Sequence, residues 1–223
     1  METHRVRQEA VAHNLANAQT PGFKRTQVSE SLFAANLDQA RAALPQAELV
    51  SDLRQGALRQ TDRPLDFALQ GDGFFVVEAP DGPRYARAGN FRRDLEGHLV
   101  TASGWRVQGS QGEVNLGQDP VSDLRVAGDQ GLSIPGRGKV ELKIVDFPPG
   151  ALSPAGDGTF RALPGAEPSI SSASLRQGAL ELGNSSPVEE LVELIDIQRS
   201  FEAASRSIAT IFRVEERLTN ELR

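Results

Sequence analysis

The chain has 223 residues with 24 Lys and Arg against 30 Asp and Glu, a net charge of -6, which argues against the basic face that a nucleic-acid binder presents. Cysteine is absent, which removes disulfides, thiolate chemistry and Cys-based zinc sites; aromatic residues make up only 5%, so stacking platforms for bases or sugars are poorly supplied. The 39% hydrophobic content suffices for a packed core, but no apolar run nears the roughly 18 residues that span a bilayer, and METHRVRQEAVAHN is too polar for a cleavable signal peptide.

Residues Glu2 to Ala18 are good helix formers, with Val6, Ala10, Val11, Leu15 and Ala18 at helical spacing. The turn QTPGF ends them, because Pro21 cannot continue a helix and Gly22 permits the reversal. An alanine-rich stretch from Val28 to Leu44, carrying Leu32, Ala35, Ala40 and Leu44, reads as a second helix or as a linker before Pro45. From about Ser51 to Ser174 Gly and Pro recur between short apolar runs, the pattern of an all-β domain. FFVVEA, PDGP and RYARA predict a hairpin with Asp81-Gly82 in its turn. FRRD, LEG and HLVTA predict the next, with Gly97 at its turn; GWRVQG, KVELKIVDF and GTFRAL are further strands.

Helix returns at Ser186. Its hydroxyl can accept from free N–H groups, Pro187 fits the first helical position, and Glu189 completes an S-x-x-E capping box. Beyond it Leu194, Ile197, Phe201, Ala204, Ile208, Ile211, Glu215, Leu218 and Leu222 follow a 3-4 spacing that only Glu215 interrupts. A helix of about 35 residues with such a seam points to coiled-coil packing. The seam needs a partner, either the N-terminal helix or another molecule. The expected fold class is therefore α+β: a mainly β central domain over 51–180, a helix and linker over 1–50, and a long helix over 181–223, the terminal helices forming one discontinuous, coiled-coil-like helical domain.

LRQGAL occurs at Leu53–Leu58 and again at Leu175–Leu180. One copy leads into the β domain and the other leads out, so the two are expected side by side as entry and exit strands. The mid-strand glycine in each marks a bulge or a close backbone approach.

Catalytic chemistry finds no footing. His4, His13 and His98 show no metal-ligand spacing and read as solvated. GDGFFV lacks the third glycine of a dinucleotide loop and leads into strand-forming residues. Ser103 and Ser133 have no His placed to activate them, and Asp119, Asp123 and Asp129 match no calcium loop. No catalytic, cofactor or metal residues are expected.

Three segments carry a resemblance to a known family. NLANAQTPGFKR (Asn14–Arg25) is similar to the N-terminal signature of the axial proteins of the bacterial flagellum, the rod and hook group. RPLDFALQGDGFFVVEAPDGPRYARAGNFRRDLEGHLVTASGWRVQG (Arg63–Gly109) looks like the start of the rod proteins' middle domain, and LRQGALELGNSSPVEELVELIDIQRSFEAASRSI (Leu175–Ile208) resembles their C-terminal signature. The resemblance implies a rod subunit of the basal body, exported through the flagellar type III apparatus without a cleaved signal. Its terminal helices would pack with those of other axial subunits into a hollow drive shaft, the β domain lying outside. Asn14, Leu15, Ala16, Asn17, Gly22 and Phe23 match the first signature. Physically, Asn17 can end the helix, Gly22 supplies the turn and Phe23 anchors the departing chain. Glu189, Glu190, Gln198, Arg199, Phe201, Glu202, Ser205 and Ile208 match the last, with Phe201 and Ile208 on the buried seam and a Glu202–Arg206 pair setting register. Departures are His13 and Ala204, where the family usually has Asn, and only thirteen residues before Asn14, where it usually has a longer helix. The compact middle domain favours rod over hook or hook junction. From a different class, a carbohydrate- or peptidoglycan-binding β module with helical arms would need aromatic groups that Trp105 and Tyr85 scarcely supply.

Overall fold

A computed structural model describes residues 2–30 and 47–221. The chain forms two compact units: the described parts of Met1–Ala16, Thr26–Leu49 and Ser186–Arg223, and the stretches Asn17–Arg25 and Val50–Ser185. The backbone therefore crosses between them four times.

The first unit holds helix α1 (Glu2–Asn17) up to Ala16, strand β1 (Thr26–Glu30), the first half of its partner strand β2 (Ala47–Ser51), and helix α2 (Pro187–Glu221). Both helices begin and end close to where the sequence places them. Glu189 N–H reaches Ser186 Oγ at 3.5 Å and Glu190 N–H bonds the Ser186 carbonyl at 3.0 Å, so the serine does cap α2. Val28 corrects the alanine-rich expectation: it lies in β1, and the stretch begins extended. Leu32, Ala35, Ala40 and Leu44 lie outside the described residues.

The second unit is all β. Its strands are β3 (Leu58–Gln60), β4 (Phe67–Gln70), β5 (Phe74–Ala79), β6 (Gly82–Ala86), β7 (Arg92–Arg93), β8 (Leu99–Val100), β9 (Arg106–Gly109), β10 (Gly112–Glu113), β11 (Arg125–Ala127) and β12 (Gly131–Ile134). They continue with β13 (Gly138–Glu141), β14 (Ile144–Asp146), β15 (Leu152–Gly156), β16 (Thr159–Ala162), β17 (Ser169–Ile170), β18 (Ser174–Gln177) and β19 (Ala179–Glu181). The main sheet runs β15-β16-β6-β5-β9-β8-β7, with β10 on β9, and β14 joining β5 to β17. A three-stranded sheet, β11-β12-β13, and the pairs β18-β4 and β19-β3 complete the unit.

FFVVEA explains the core. Its residues run apolar without alternation because β5 is buried on both faces. Phe75 and Val77 enter one cluster with Phe67, Phe91, Leu99 and Leu132, while Phe74 and Val76 enter a second with Tyr85, Val145, Phe147 and Phe160. Edge-on ring pairs lock both clusters: Phe75 with Phe91 at 5.1 Å and Tyr85 with Phe147 at 4.6 Å between centroids.

Two local readings shift. The β5–β6 hairpin pairs Ala79 with Gly82, so its loop residues are Pro80 and Asp81 rather than Asp81 and Gly82. KVELKIVDF is not one strand. Leu142 and Lys143 turn their N–H groups to Gln130 and Gln108, separating β13 from β14.

Candidate assembly site

In the helical unit, α1 buries Ala10, Val11 and Asn14 on one side, a stripe at helical spacing. Asn14 does more than pack. Its Oδ1 accepts from Thr26 N–H at 2.8 Å and its Nδ2 donates to the Thr26 carbonyl at 2.8 Å, so one side chain clamps both backbone groups at the start of β1. The same Nδ2 donates to Glu190 Oε2 at 3.3 Å, and Asn14 and Glu190 are both fully buried. Two turns earlier on α1, Arg7 lies 2.8 Å from Glu193 of α2, so the two helices run antiparallel. These contacts place the buried stripe of α1 against the Glu190–Ile197 side of α2.

The β unit holds a second polar centre, formed from residues far apart in sequence. Glu181, at the end of β19, is 2% exposed and receives Lys24 Nζ on Oε1 at 2.7 Å and Arg87 Nε on Oε2 at 2.5 Å. Gly56 N–H also donates to Oε1 at 3.0 Å. Lys24 spends another proton on the Arg54 carbonyl, and Arg87 bonds the carbonyls of Leu69, Gly71 and Gly73. Every member is thereby desolvated and paired, the condition under which buried charge is tolerated. Burial pushes the Lys24 ammonium below the ordinary lysine value, and Glu181 pulls against that shift. Beside this triad Asn184 accepts from Arg25 N–H at 2.7 Å and donates to the Asp52 and Arg54 carbonyls at 2.8 and 3.0 Å. Asn184 N–H meets the Phe23 carbonyl and Asp52 N–H meets the Arg25 carbonyl.

Gly22 is required here twice over. It sits at φ +68°, and a Cβ would stand 2.3 Å from Ala88 N. The buried Phe23 anchors the chain as it leaves the turn.

Elsewhere, Asp94, Glu96 and His98 bring possible ligand atoms within 4.8 Å of one another. His98 is not solvated as the sequence suggested: its side chain is 17% exposed and lies 3.5 Å from Asp94 and from Glu96. Arg106 bridges Glu96 and Glu113 at 2.6 and 2.7 Å and supplies the counter-charge for these carboxylates. His13 is exposed, and the side chain of His4 lies outside the described set.

The comparisons with known proteins follow the same three segments. Residues 1–24 match the family "Flagella basal body rod protein", residues 68–142 the "Flagellar hook protein FlgE/F/G D1 domain", and residues 176–221 the "Flagellar basal body rod FlgEFG protein C-terminal". The FlgF rod protein of Salmonella typhimurium is 32% identical over 228 residues, covering 92% of this chain and 87% of the relative. FlgG of Buchnera aphidicola subsp. Schizaphis graminum is 30% identical, covering 94% and 92%. The chain belongs to the flagellar basal-body rod proteins of the FlgF/FlgG type. The hook protein FlgE of Brucella abortus biovar 1 is 32% identical over 161 residues, which cover 68% of this chain and 40% of the hook protein.

Within this rod protein the signature residues divide into different tasks. Asn14 and Glu190 meet each other, Asn17 ends α1, and Gly22 and Phe23 shape the turn. Leu15 is half-buried and Ala16 exposed. On α2, Ile197 is buried, Leu194, Ala204 and Ser205 are half-buried, and Glu189, Gln198, Arg199, Phe201 and Glu202 are exposed. Arg206 lies 3.7 Å from Glu202, the expected i, i+4 pair. The side chains of Ile208, Ile211 and Leu218 and the whole of Leu222 lie outside the described set. Sequence reading missed the Lys24–Arg87–Glu181 triad and Asn184. Each lies inside a recognised segment, but nothing in a linear pattern pairs charges so far apart.

Proposed function

We propose that this rod subunit assembles through its terminal helices, with copies of itself and other axial proteins, into a hollow shaft that carries torque from motor to hook. Export through the flagellar type III apparatus, without a cleaved signal, and a place in the cell envelope belong to the same reading. The observation that carries it is coverage from end to end. Rod relatives align over 87% and 92% of their own lengths, helices included, whereas only 40% of the hook relative is matched. The surface of α2 supports an assembling helix, since Phe201 remains 47% exposed rather than folded away. A carbohydrate-binding module is disfavoured by its aromatics: Tyr85 is buried, and Arg84 covers the Trp105 ring at 4.7 Å.

The test is location. In a strain whose own copy is deleted, an epitope-tagged chain should restore motility and co-purify with hook–basal bodies in the rod fraction. Restored motility with the tag found only outside the basal body would sink the proposal.

A further inference from the structure

The turn between β7 and β8 gathers Asp94, Glu96 and His98, and strand pairing brings Glu113 beside them, all within the β unit. Leu99 N–H bonds the Val114 carbonyl and His98 bridges Asn115, so the His98 ring comes up against Glu113. The backbone fixes the turn. Asp94 Oδ1 accepts from Glu96 N–H at 2.9 Å and from His98 N–H at 2.7 Å. Gly97, at φ +92°, admits no side chain, since a Cβ would lie 2.8 Å from the Gly117 carbonyl oxygen.

Asp94 Oδ2 and Glu96 Oε2 are left to face His98 Nδ1, each at 3.5 Å. That nitrogen is wholly buried and has no hydrogen-bond partner among the described residues. An imidazolium between two carboxylates would draw them to about 2.8 Å. Ligands about 2.1 Å from a shared tetrahedral ion stand about 3.4 Å apart, close to the spacing found. The other side of the ring matches: Glu113 lies 3.8 Å from Nε2, where a carboxylate orients a ligating imidazole. Charge points the same way, because Arg106, which bonds Glu96 and Glu113, is one guanidinium against three carboxylates. Burial pulls the Asp94 carboxyl upward, yet the N–H groups of His98 and Glu96 hold it below the ordinary value, so it stays ionised. We propose that Asp94, Glu96 and His98 Nδ1 form a site for a divalent transition-metal ion of the zinc class, with Glu113 as a positioning residue on the ring. Calcium and magnesium take oxygen ligands, whereas imidazole with carboxylates suits zinc. Three protein ligands leave a coordination position for water, and the ion ties the β7–β8 turn to β10 through the ring. No pair of histidines could signal the site in the sequence, because two of its ligands are carboxylates.

The chain has no cysteine and three histidines, which makes the assay clean. Full-length protein stripped with a chelator is titrated with Zn²⁺ by calorimetry, and the imidazole nitrogens are followed by NMR. One ion per chain should bind, the His98 Nδ1 signal should move more than Nε2, and the thermal midpoint should rise with Zn²⁺ and return with EDTA. His98→Ala should lose both the ion and the rise, while a His4→Ala, His13→Ala double variant keeps them. Glu113→Gln leaves every ligand in place and should still weaken binding about tenfold or more. Glu96→Gln alters a side chain that is 67% exposed, so it should keep the circular dichroism of the wild type while affinity falls at least as far. A wild type that binds no Zn²⁺ would overturn the assignment. So would binding that survives His98→Ala, a response at Nε2 in place of Nδ1, or unchanged affinity in either carboxylate variant.

Discussion

Glu181 shows how much one side chain can hold. Its two oxygens take Lys24, Arg87 and Gly56 N–H, so Glu181→Ala strands two buried cations at once. Breaking a buried pair by removing one partner costs about 3–5 kcal/mol. Lys24→Met leaves Glu181 bonded to Arg87 and should cost clearly less, which urea unfolding of the two variants would reveal. Gly56 and Gly178 allow a similar contrast. A Cβ on Gly56 would lie 2.1 Å from the Leu182 carbonyl oxygen, so Gly56→Ala must move backbone and should cost about 3 kcal/mol. At Gly178 the nearest atom is 3.4 Å away and only φ +71° is strained, so Gly178→Ala should cost about 1 kcal/mol. Equal losses would mean that the close approach relaxes freely. Acid should act partly through Asp52, which Arg54 holds below the ordinary carboxylate value while burial pulls it back. A lowered folded-state pKa gives stability that is present above the unfolded value of 3.8 and is lost as pH falls through the folded one. Asp52→Asn should therefore flatten stability against pH below about pH 5. An unchanged acid slope would assign that loss to other carboxylates, such as Asp81 beside Arg84.

At the scale of elements, the repeated LRQGAL is the instructive case. The two copies do lie together, but offset: Ala179 and Leu180 of the second pair with Gln60 and Arg59, just past the first, while Leu58 pairs with Glu181, just past the second. Leu175 to Gln177 turn instead to β4. Each glycine performs one of the two tasks expected of it: Gly56 permits the close approach to Leu182, and Gly178 bends at positive φ to accept from Thr61 and Asp62. Local chemistry was readable because its causes are local. The caps of α2, the turn at Gly22 and the hairpin at Gly97 each need only a few neighbouring residues. The split of KVELKIVDF was not readable, since Lys143 turns away to a carbonyl on β9 that no window around it contains. The seam of α2 was half readable. Period identifies an apolar face but not which molecule covers it. Asn14 marks the limit. A signature match flags the residue, yet its clamp on both backbone groups of Thr26 is a tertiary fact. Asn14→Ala leaves those two groups without their side-chain partner, at about 1–3 kcal/mol each. Amide exchange at Thr26 should accelerate strongly, whereas Asn17→Ala, at the last residue of α1, should leave it nearly unchanged.

For the whole molecule, the decisive fact is that the backbone passes between its two units four times, near residues 16, 25, 49 and 185. A load transmitted from one unit to the other is shared among the crossings only if their ends are tied together on the β side. Asn184, beside the crossing at 185, supplies that tie: it joins Arg25, Asp52 and Arg54, which lie beside two more. The neighbouring bonds from Asp52 to Arg25 and from Asn184 to Phe23 run between the same three segments. Losing the side chain should cost about 1–3 kcal/mol in a fold that keeps its core, too little to unfold the unit. Under torque the consequence differs, because strands no longer linked take load one after another. Asn184→Ala is therefore expected to swim nearly as the wild type does in dilute medium. Speed should fall disproportionately as viscosity is raised with methylcellulose, and the restrained isostere Asn184→Asp, which still accepts from Arg25, should lie between them. Parallel decline of all three with viscosity would show that the crossings carry load independently, and that the tie serves folding alone.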